Sequence, residues 1–188
     1  MSENRWAIFL SGRGSNADAV WECLAELSIA VCVSSKAKAY GVTRARRRGV
    51  PRWVLPSQPQ WSEVSKELRS RRVNSILLLG FMKILPADFC EEWKGRIWNL
   101  HPSLLPEWPG AKAFERSYEA GGAVGASLHR VTAEMDAGPL CLQMKISDQA
   151  SEKFSWEEAQ FRLALTEQRL VREWVRRQQM QKEAGGWI

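Results

Sequence analysis

The sequence has little that would direct the protein to a membrane, a metal ion or an oxidising compartment. No apolar run in its 188 residues approaches the ~20 residues that a membrane helix needs. The polar residues 1–5 do not form the start of a signal peptide. The four cysteines are scattered, with no CxxC pair and no spacing typical of metal ligands. We therefore expect a soluble, cytoplasmic protein with reduced cysteines, without a membrane partner and without a metal.

Histidine is also scarce, and one of the two histidines lies in an unusual segment. Residues 99–110 read Asn-Leu-His-Pro-Ser-Leu-Leu-Pro-Glu-Trp-Pro-Gly. Asn99 and His101 are two residues apart at the end of an apolar run, so their side chains share one side of an extended segment. The three prolines that follow exclude a helix or a central strand. This arrangement is suited to holding a hydrogen-bond donor and a proton carrier at a fixed separation. His129 lies within an apparent strand, and we interpret it as structural.

The chain is rich in apolar and basic residues, including ten tryptophans. At 45% hydrophobic, it can bury a core without disulfides. The net charge of +6 favours a role in solubility, and the dispersed tryptophans are typical of packing. An alternative of another class is a basic domain that stacks single-stranded nucleic acid on tryptophan, with steeply salt-dependent binding. We expect no nucleic-acid partner, because the polar residues described below cluster with a loop suited to phosphate.

Apolar runs alternate with helical patterns through the first hundred residues. Strands are predicted at 6–10, 29–33, 51–55, 73–79 and 96–100, and helices at 16–27, 40–48, 61–71 and 85–93. After them come a helix at 113–120, a strand pair at 125–131 and 140–146, and a helix at 156–178 that begins with a capping box at Ser155 and Glu158. The near-continuous run Ile76–Leu79 indicates a central parallel strand. We predict an α/β fold: one doubly wound, Rossmann-like, mostly parallel twisted sheet with flanking helices over residues 1–182, and a frayed tail at 183–188.

Three loops that follow predicted strands should meet at one edge of such a sheet, where ligands bind. They are residues 11–16, 80–83 and 99–110. The first contains Gly-Arg-Gly-Ser-Asn at 12–16, a glycine-rich turn that enters a helix and can offer backbone N–H groups to a phosphate. It is neither a P-loop nor a GxGxxG fingerprint, and an ordinary turn with a Ser or Asn cap remains the alternative.

Two carboxylates complete the set of candidate residues. Asp136 lies in the segment Met-Asp-Ala-Gly-Pro, where an aspartate is often only a turn residue. With Asn99 and His101, however, it would supply enough polar groups for acyl or formyl transfer. Glu167 falls on the apolar stripe of the last helix, so it needs a partner, either an arginine or the hydroxyls of a ligand.

Taken together, these segments resemble the folate-dependent formyltransferases, and in particular the phosphoribosylglycinamide formyltransferase family. The matching blocks are residues 10–16, 80–85, 99–110 and 136–143, which occur in the family order. The resemblance implies transfer of a formyl group from 10-formyltetrahydrofolate to the amine of glycinamide ribonucleotide in purine biosynthesis. It implies a small-molecule enzyme that uses no metal and acts as a monomer or homodimer.

The resemblance also assigns roles to residues. Gly14, Ser15 and Asn16 would hold the substrate phosphate and Glu167 the ribose hydroxyls. The folate pocket would be lined by the loop at 133–136 together with Met82, Lys83, Ile84 and Leu85. The catalytic residues would be Asn99, His101 and Asp136. Asn99 would donate to the oxyanion, protonated His101 would stabilise it and protonate the leaving nitrogen, and Asp136 would raise the His101 pKa and accept the amine proton.

Two positions depart from the family pattern. Phe114 stands where many members have histidine, and Lys83 stands where arginine is common. These departures leave two alternatives: a formyltransferase acting on another amine, such as an amino sugar nucleotide, and a family member that binds ligands without turnover.

Overall fold

The computed structural model describes residues 4–23 and 27–183, the last three without their side chains. Seven strands form one sheet: β1 Arg5–Leu10, β2 Ser28–Ser34, β3 Arg52–Val54, β4 Ser75–Leu79, β5 Ile97–His101, β6 Val124–Arg130 and β7 Leu140–Ser147. Their order is β3-β2-β1-β4-β5-β6-β7. The first five strands are parallel, and β6 and β7 are antiparallel to their neighbours. The predicted doubly wound α/β fold is therefore confirmed.

The helices that connect and cover these strands in the described residues are α1 Ser15–Trp21, α2 Tyr40–Arg47, α3 Trp61–Ser70, α4 Ala87–Glu92, α5 Ala113–Glu119, α6 Ala150–Lys153 and α7 Trp156–Glu183. Helix α1 is shorter than predicted, and α7 continues five residues past the predicted end. The backbone N–H of Glu158 donates to the Ser155 hydroxyl at 3.2 Å, which is one half of the predicted capping box. The Glu158 carboxylate instead binds Arg162. The predicted tail lies outside the described residues after Glu183.

Two apolar layers cover the faces of the sheet, so the central strand β4 alternates between them. Leu77 and Leu79 join the layer that contains residues of α1 and α7, whereas Ile76 and Leu78 join the layer that contains residues of α3 and α4. Burial on both faces explains the near-continuous apolar run of this strand. Five tryptophans of the described residues are buried, and Trp6, Trp98 and Trp174 pack together with ring centroids 4.9 to 5.8 Å apart.

The order of the strands determines where a ligand can bind. Connections from β1 run to one side through β2 and β3, and those from β4 run to the other through β5. The carboxyl ends of β1 and β4 therefore flank the point at which the winding reverses, which is where doubly wound sheets bind ligands. No described helix is long and apolar enough to span a bilayer.

Candidate active site

Strand β5 holds Asn99 and His101 on the same face of the sheet, as their spacing predicts. The neighbouring antiparallel strand β6 places His129 opposite Asn99, and Ser127 opposite His101. The loop between β6 and β7 then folds back over this face and brings Asp136 to it. Gly138 permits that path, because a Cβ there would lie 1.8 Å from the carbonyl oxygen of Arg130.

The three predicted catalytic side chains meet. Asp136 Oδ2 lies 3.4 Å from Nδ1 of His101 and accepts a 2.8 Å hydrogen bond from the Gly110 N–H. Its other oxygen accepts a 3.4 Å hydrogen bond from Nδ2 of Asn99. The side chains of His101 and Asp136 are 5% and 12% exposed. The cluster is therefore mostly shielded from water, which strengthens its electrostatic interactions.

Burial decides the charge state of His101 in a direction that the sequence analysis did not predict. Loss of solvation lowers the pKa of His101, and this outweighs the carbonyl of Trp108 and the carboxylate of Asp136, both of which raise it. Asp136 raises the pKa of His101 as expected, but burial reverses the net direction. Since the ordinary value is 6.5, His101 is mainly neutral at pH 7 in the free protein.

At Asp136 the contacts outweigh burial, whereas at His101 burial outweighs the contacts. Burial disfavours the charged form of Asp136, but its contacts with His129, with the Gly110 N–H and with His101 outweigh burial and lower the pKa to about 2. Asp136 is therefore a carboxylate at neutral pH. The free site pairs a neutral imidazole with a fixed negative charge.

The glycine turn after β1 leads directly into α1. Gly14 has a φ of 73° and forms the N-cap of α1, where no side-chain cap is present among the described residues. A Cβ on Gly14 would lie 2.6 Å from Cα of Gly41, so α2 holds the turn closely. The hydroxyl of Ser11 accepts a 2.8 Å hydrogen bond from the N–H of Met82. The turn is thus tied to the loop that follows β4.

Glu167 reaches this turn from α7. Its Oε2 accepts a 2.9 Å hydrogen bond from Nδ2 of Asn16, while Oδ1 of Asn16 is buried without a partner in the described structure. Burial raises the pKa of Glu167 to about 7, against the opposing effect of the Asn16 hydrogen bond. The partner that the apolar stripe required is therefore an amide. The structure brings the predicted phosphate and ribose residues together.

The residues assigned to folate alternate between solvent and core. Met82 and Ile84 are 71% and 76% exposed, whereas Leu85 packs against the apolar layer of α3 and α4. Nζ of Lys83 donates to the carbonyl of Ser57 at 2.5 Å. Met135, from the loop that carries Asp136, adds a further exposed apolar side chain. Exposed apolar groups at this edge of the sheet suit the flat ring of a folate.

The structure also places two further residues singled out in the sequence. Phe114 is buried and stacks on Trp156 with ring centroids 5.5 Å apart, so it anchors α5 to α7. His129, interpreted as structural, lies next to the cluster of Asn99, His101 and Asp136: its Nε2 is 3.2 Å from Nδ2 of Asn99 and 3.4 Å from Oδ1 of Asp136. The strand alternation places His129 and Ser127 on one face, but only the pairing of β5 with β6 puts that face against Asn99.

Comparison with known proteins agrees with this geometry. The family model described as formyl transferase matches residues 4–173. The phosphoribosylglycinamide formyltransferase of Haemophilus influenzae is 34% identical over 151 residues, which are 74% of this chain and 71% of that protein. The trifunctional purine biosynthetic protein adenosine-3 of Drosophila pseudoobscura is 35% identical over 155 residues, 76% of this chain. The chain spans only 11% of that longer relative.

Solved structures give the same result. The crystal structure of phosphoribosylglycinamide formyltransferase from Anaplasma phagocytophilum superposes with a TM-score of 0.86 at 34% identity, covering 93% of this chain and 86% of that one. Proteins that share only a fold need not have 34% identity over most of both chains. The chain therefore belongs to the formyl transferase family, in the group of the phosphoribosylglycinamide formyltransferases.

Proposed function

We propose that the protein transfers a formyl group from 10-formyltetrahydrofolate to the amine of glycinamide ribonucleotide, a step of purine biosynthesis. The observation that carries this proposal is the meeting of Asn99 and His101 at Asp136, whose two carboxylate oxygens lie 3.4 Å from Nδ2 of Asn99 and 3.4 Å from Nδ1 of His101. The names of the relatives support the choice of substrates.

The ribonucleotide lies across the carboxyl ends of β1 and β5 in this proposal. Its phosphate binds the N–H groups of the turn at Gly14, Ser15 and Asn16, where the dipole of α1 favours an anion. Its ribose hydroxyls bind Glu167, which already faces Asn16. The amine then points toward Asn99 and His101.

The folate lies along Met82, Lys83, Ile84 and Leu85 and under the loop at 133–136. This placement puts the formyl carbon next to the catalytic cluster. All the candidate residues come from one chain, which is compatible with a monomer or a homodimer in the cytoplasm.

In the reaction, the cluster stabilises the charge that develops on the formyl oxygen and transfers protons. The amine attacks the formyl carbon, and the carbonyl oxygen becomes an oxyanion that accepts a hydrogen bond from Asn99. The nitrogen of the former amine is then positively charged and loses a proton to the Asp136 carboxylate, directly or through a water molecule. The folate nitrogen gains a proton as its bond to carbon breaks.

His101 supplies the mobile proton. Nε2 lies 3.0 Å from the carbonyl of Trp108, and Nδ1 faces the carboxylate of Asp136. Asp136 passes the proton that it accepts from the amine to Nδ1 of the neutral ring, and the negative charge of the intermediate favours this transfer. The resulting imidazolium stabilises the oxyanion and donates to the leaving nitrogen.

Formyl transfer from 10-formyl-5,8-dideazafolate, followed by absorbance, tests this proposal. With glycinamide ribonucleotide as acceptor we expect saturable turnover that survives EDTA. Asn99→Ala and His101→Ala should each lose at least ~100-fold in kcat, the usual effect of removing an oxyanion donor or a proton donor. Glu173→Gln, on the surface of α7, is the control that should keep kcat.

Two results would count against the proposal. A loss below tenfold in both folded variants would remove their assigned roles. Turnover with an amino sugar nucleotide in place of glycinamide ribonucleotide would favour the other acceptor.

A further inference from the structure

His129 has contacts in the catalytic cluster that the roles above do not use. The residue is 1% exposed and lies opposite Asn99 across the β5–β6 pair. Its Nδ1 is 2.9 Å from the carbonyl oxygen of Arg130. Its Nε2 is 3.2 Å from Nδ2 of Asn99. Both ring nitrogens therefore have a fixed neighbour.

These two neighbours determine where the ring holds its proton. A carbonyl oxygen only accepts hydrogen bonds, so Nδ1 of His129 must be the protonated nitrogen. A ring that holds its single proton on Nδ1 has a free lone pair on Nε2, which accepts one N–H of the Asn99 amide. The shorter contact of Nε2 is the one to Asn99, and its contact to Asp136 is longer, at 3.4 Å.

The same contacts fix the orientation of the Asn99 amide. If the amide were turned over, its Oδ1 would face the lone pair of His129 and would lie beside the carboxylate of Asp136. Three acceptors would then meet without a proton between them. In the observed orientation, one N–H of Asn99 binds His129, and the other makes only a 3.4 Å contact with Asp136.

We infer that His129 is a positioning residue that keeps the donor side of the Asn99 amide toward the reacting carbon. The N–H that binds Asp136 only weakly is the one left for the oxyanion. Without His129 the amide can present its oxygen, which repels an oxyanion. This inference rests on the proposed function, since it needs an oxyanion at that place.

Two substitutions separate this role from simple packing. The amide of asparagine at position 129 reaches the place of Nδ1 and can still bind the Arg130 carbonyl, but it does not reach Asn99. The longer glutamine places an amide oxygen near the position of Nε2, where it can accept from Asn99. We expect His129→Asn to lose at least about tenfold in kcat with KM within about threefold, and His129→Gln to keep kcat within a few-fold of the wild type.

A double-mutant cycle shows whether His129 acts through Asn99. In the Asn99→Ala background, His129→Asn should lower kcat by less than about twofold, because the group that it positions is already absent. An equal loss in both backgrounds would overturn the inference. So would equal losses in the Asn and Gln variants, which would indicate a packing role.

A measurement without substrate keeps this inference separate from the proposed function. Nitrogen-15 NMR of the wild-type histidine rings should show His129 as the tautomer with the proton on Nδ1. A proton on Nε2 alone would overturn the inference even if the enzyme turns over. Absence of wild-type turnover, with the expected tautomer present, would instead overturn the proposed function and with it the oxyanion that His129 serves.

Discussion

At the scale of single residues, Glu167 shows how a residue proposed to bind a ligand can cost stability. The carboxyl group lies at the contact between α1 and α7, and in the described structure its hydrogen-bond partner is the amide of Asn16. Burial raises its pKa from 4.5 to about 7. The folded protein therefore holds this proton more tightly than the unfolded chain does. A group of this kind is most stabilising when protonated.

The resulting prediction concerns Glu167→Gln. The free energy of unfolding of the wild type should fall as the pH rises from about 4.5 to about 7, because the carboxyl group must ionise while it is buried. Glutamine keeps the acceptor for Asn16 but cannot ionise. The variant should match the wild type at pH 5 and be more stable at pH 8 by roughly 1–3 kcal/mol. Its KM for the ribonucleotide should nevertheless rise at least tenfold, since one of two acceptor oxygens becomes a donor.

Thermal unfolding at the two pH values and initial rates measure both effects. Glu173→Gln is the matched control on the same helix. It breaks a surface pair with Arg177, which contributes little to stability. If Glu167→Gln is no more stable than the wild type at pH 8, the carboxyl group is not desolvated as the structure indicates.

The sequence predicts residues best where their relation is local. Asn99 and His101 share a face because a strand has a period of two, and no other information is needed. Asp136 can be named from its segment, but its distance to His101 depends on how the β6–β7 loop folds back. The contact of His129 with Asn99 joins residues 30 positions apart, so the sequence does not show it. The net direction of the His101 pKa depends on burial, which a sequence does not show.

At the scale of elements, a small buried network holds the proline-rich loop after β5. The hydroxyl of Ser127 on β6 donates to the carbonyl of Ser103 at 2.6 Å and accepts the N–H of Leu105 at 3.0 Å. Gln143 on β7 donates to the same hydroxyl and to the carbonyl of Leu105, both at 2.9 Å. The loop held in this way carries the Trp108 carbonyl that contacts His101.

We predict that Ser127→Ala affects both stability and catalysis. The substitution leaves the Leu105 N–H buried without its acceptor, which should cost about 1–3 kcal/mol. It also loosens the loop next to His101, so kcat should fall by at least about fivefold in protein that is still fully folded. Urea unfolding and steady-state kinetics measure the two effects separately.

Ser117→Ala is the matched control, since Ser117 is equally buried. Its hydroxyl donates only to the carbonyl of Phe114 within α5, a local bond that helices can lose at little cost. We expect a change below about 1 kcal/mol and an unchanged kcat. Equal effects of the two substitutions would mean that the network does not position the loop.

The elements themselves were more predictable than their pairing. Alternating apolar runs gave strand positions that the structure shifts by one or two residues, because periodicity reflects burial on each face. The central position of β4 follows from its apolar run. The antiparallel pairing of β5 with β6, which creates the contact between Asn99 and His129, depends on the long connection through α5. No local pattern specifies it.

At the scale of the whole molecule, the site is assembled from segments spread along the chain. The turn at Gly14 comes from β1 and α1, Asn99 and His101 come from β5, Asp136 from the β6–β7 loop and Glu167 from α7. A site of this kind exists only when the sheet and α7 are both in place. Ligand binding should therefore be linked to global unfolding and not to local loosening.

The last prediction uses this linkage to test the glycine turn without measuring catalysis. Glycinamide ribonucleotide at 100 times its Kd should raise the free energy of unfolding by about 2.7 kcal/mol, which for a domain of this size is roughly 5–11 °C in Tm. Inorganic phosphate should give a smaller rise, and glycinamide without the phosphate almost none. Gly14→Ala should abolish the effect of phosphate, because its Cβ would meet the backbone of Gly41 and the turn has a φ of 73°. Gly12→Ala is the control, because a Cβ there has no neighbour within 4 Å, and this variant should still be stabilised by phosphate. If phosphate stabilises both variants, or neither of them, it does not bind this turn.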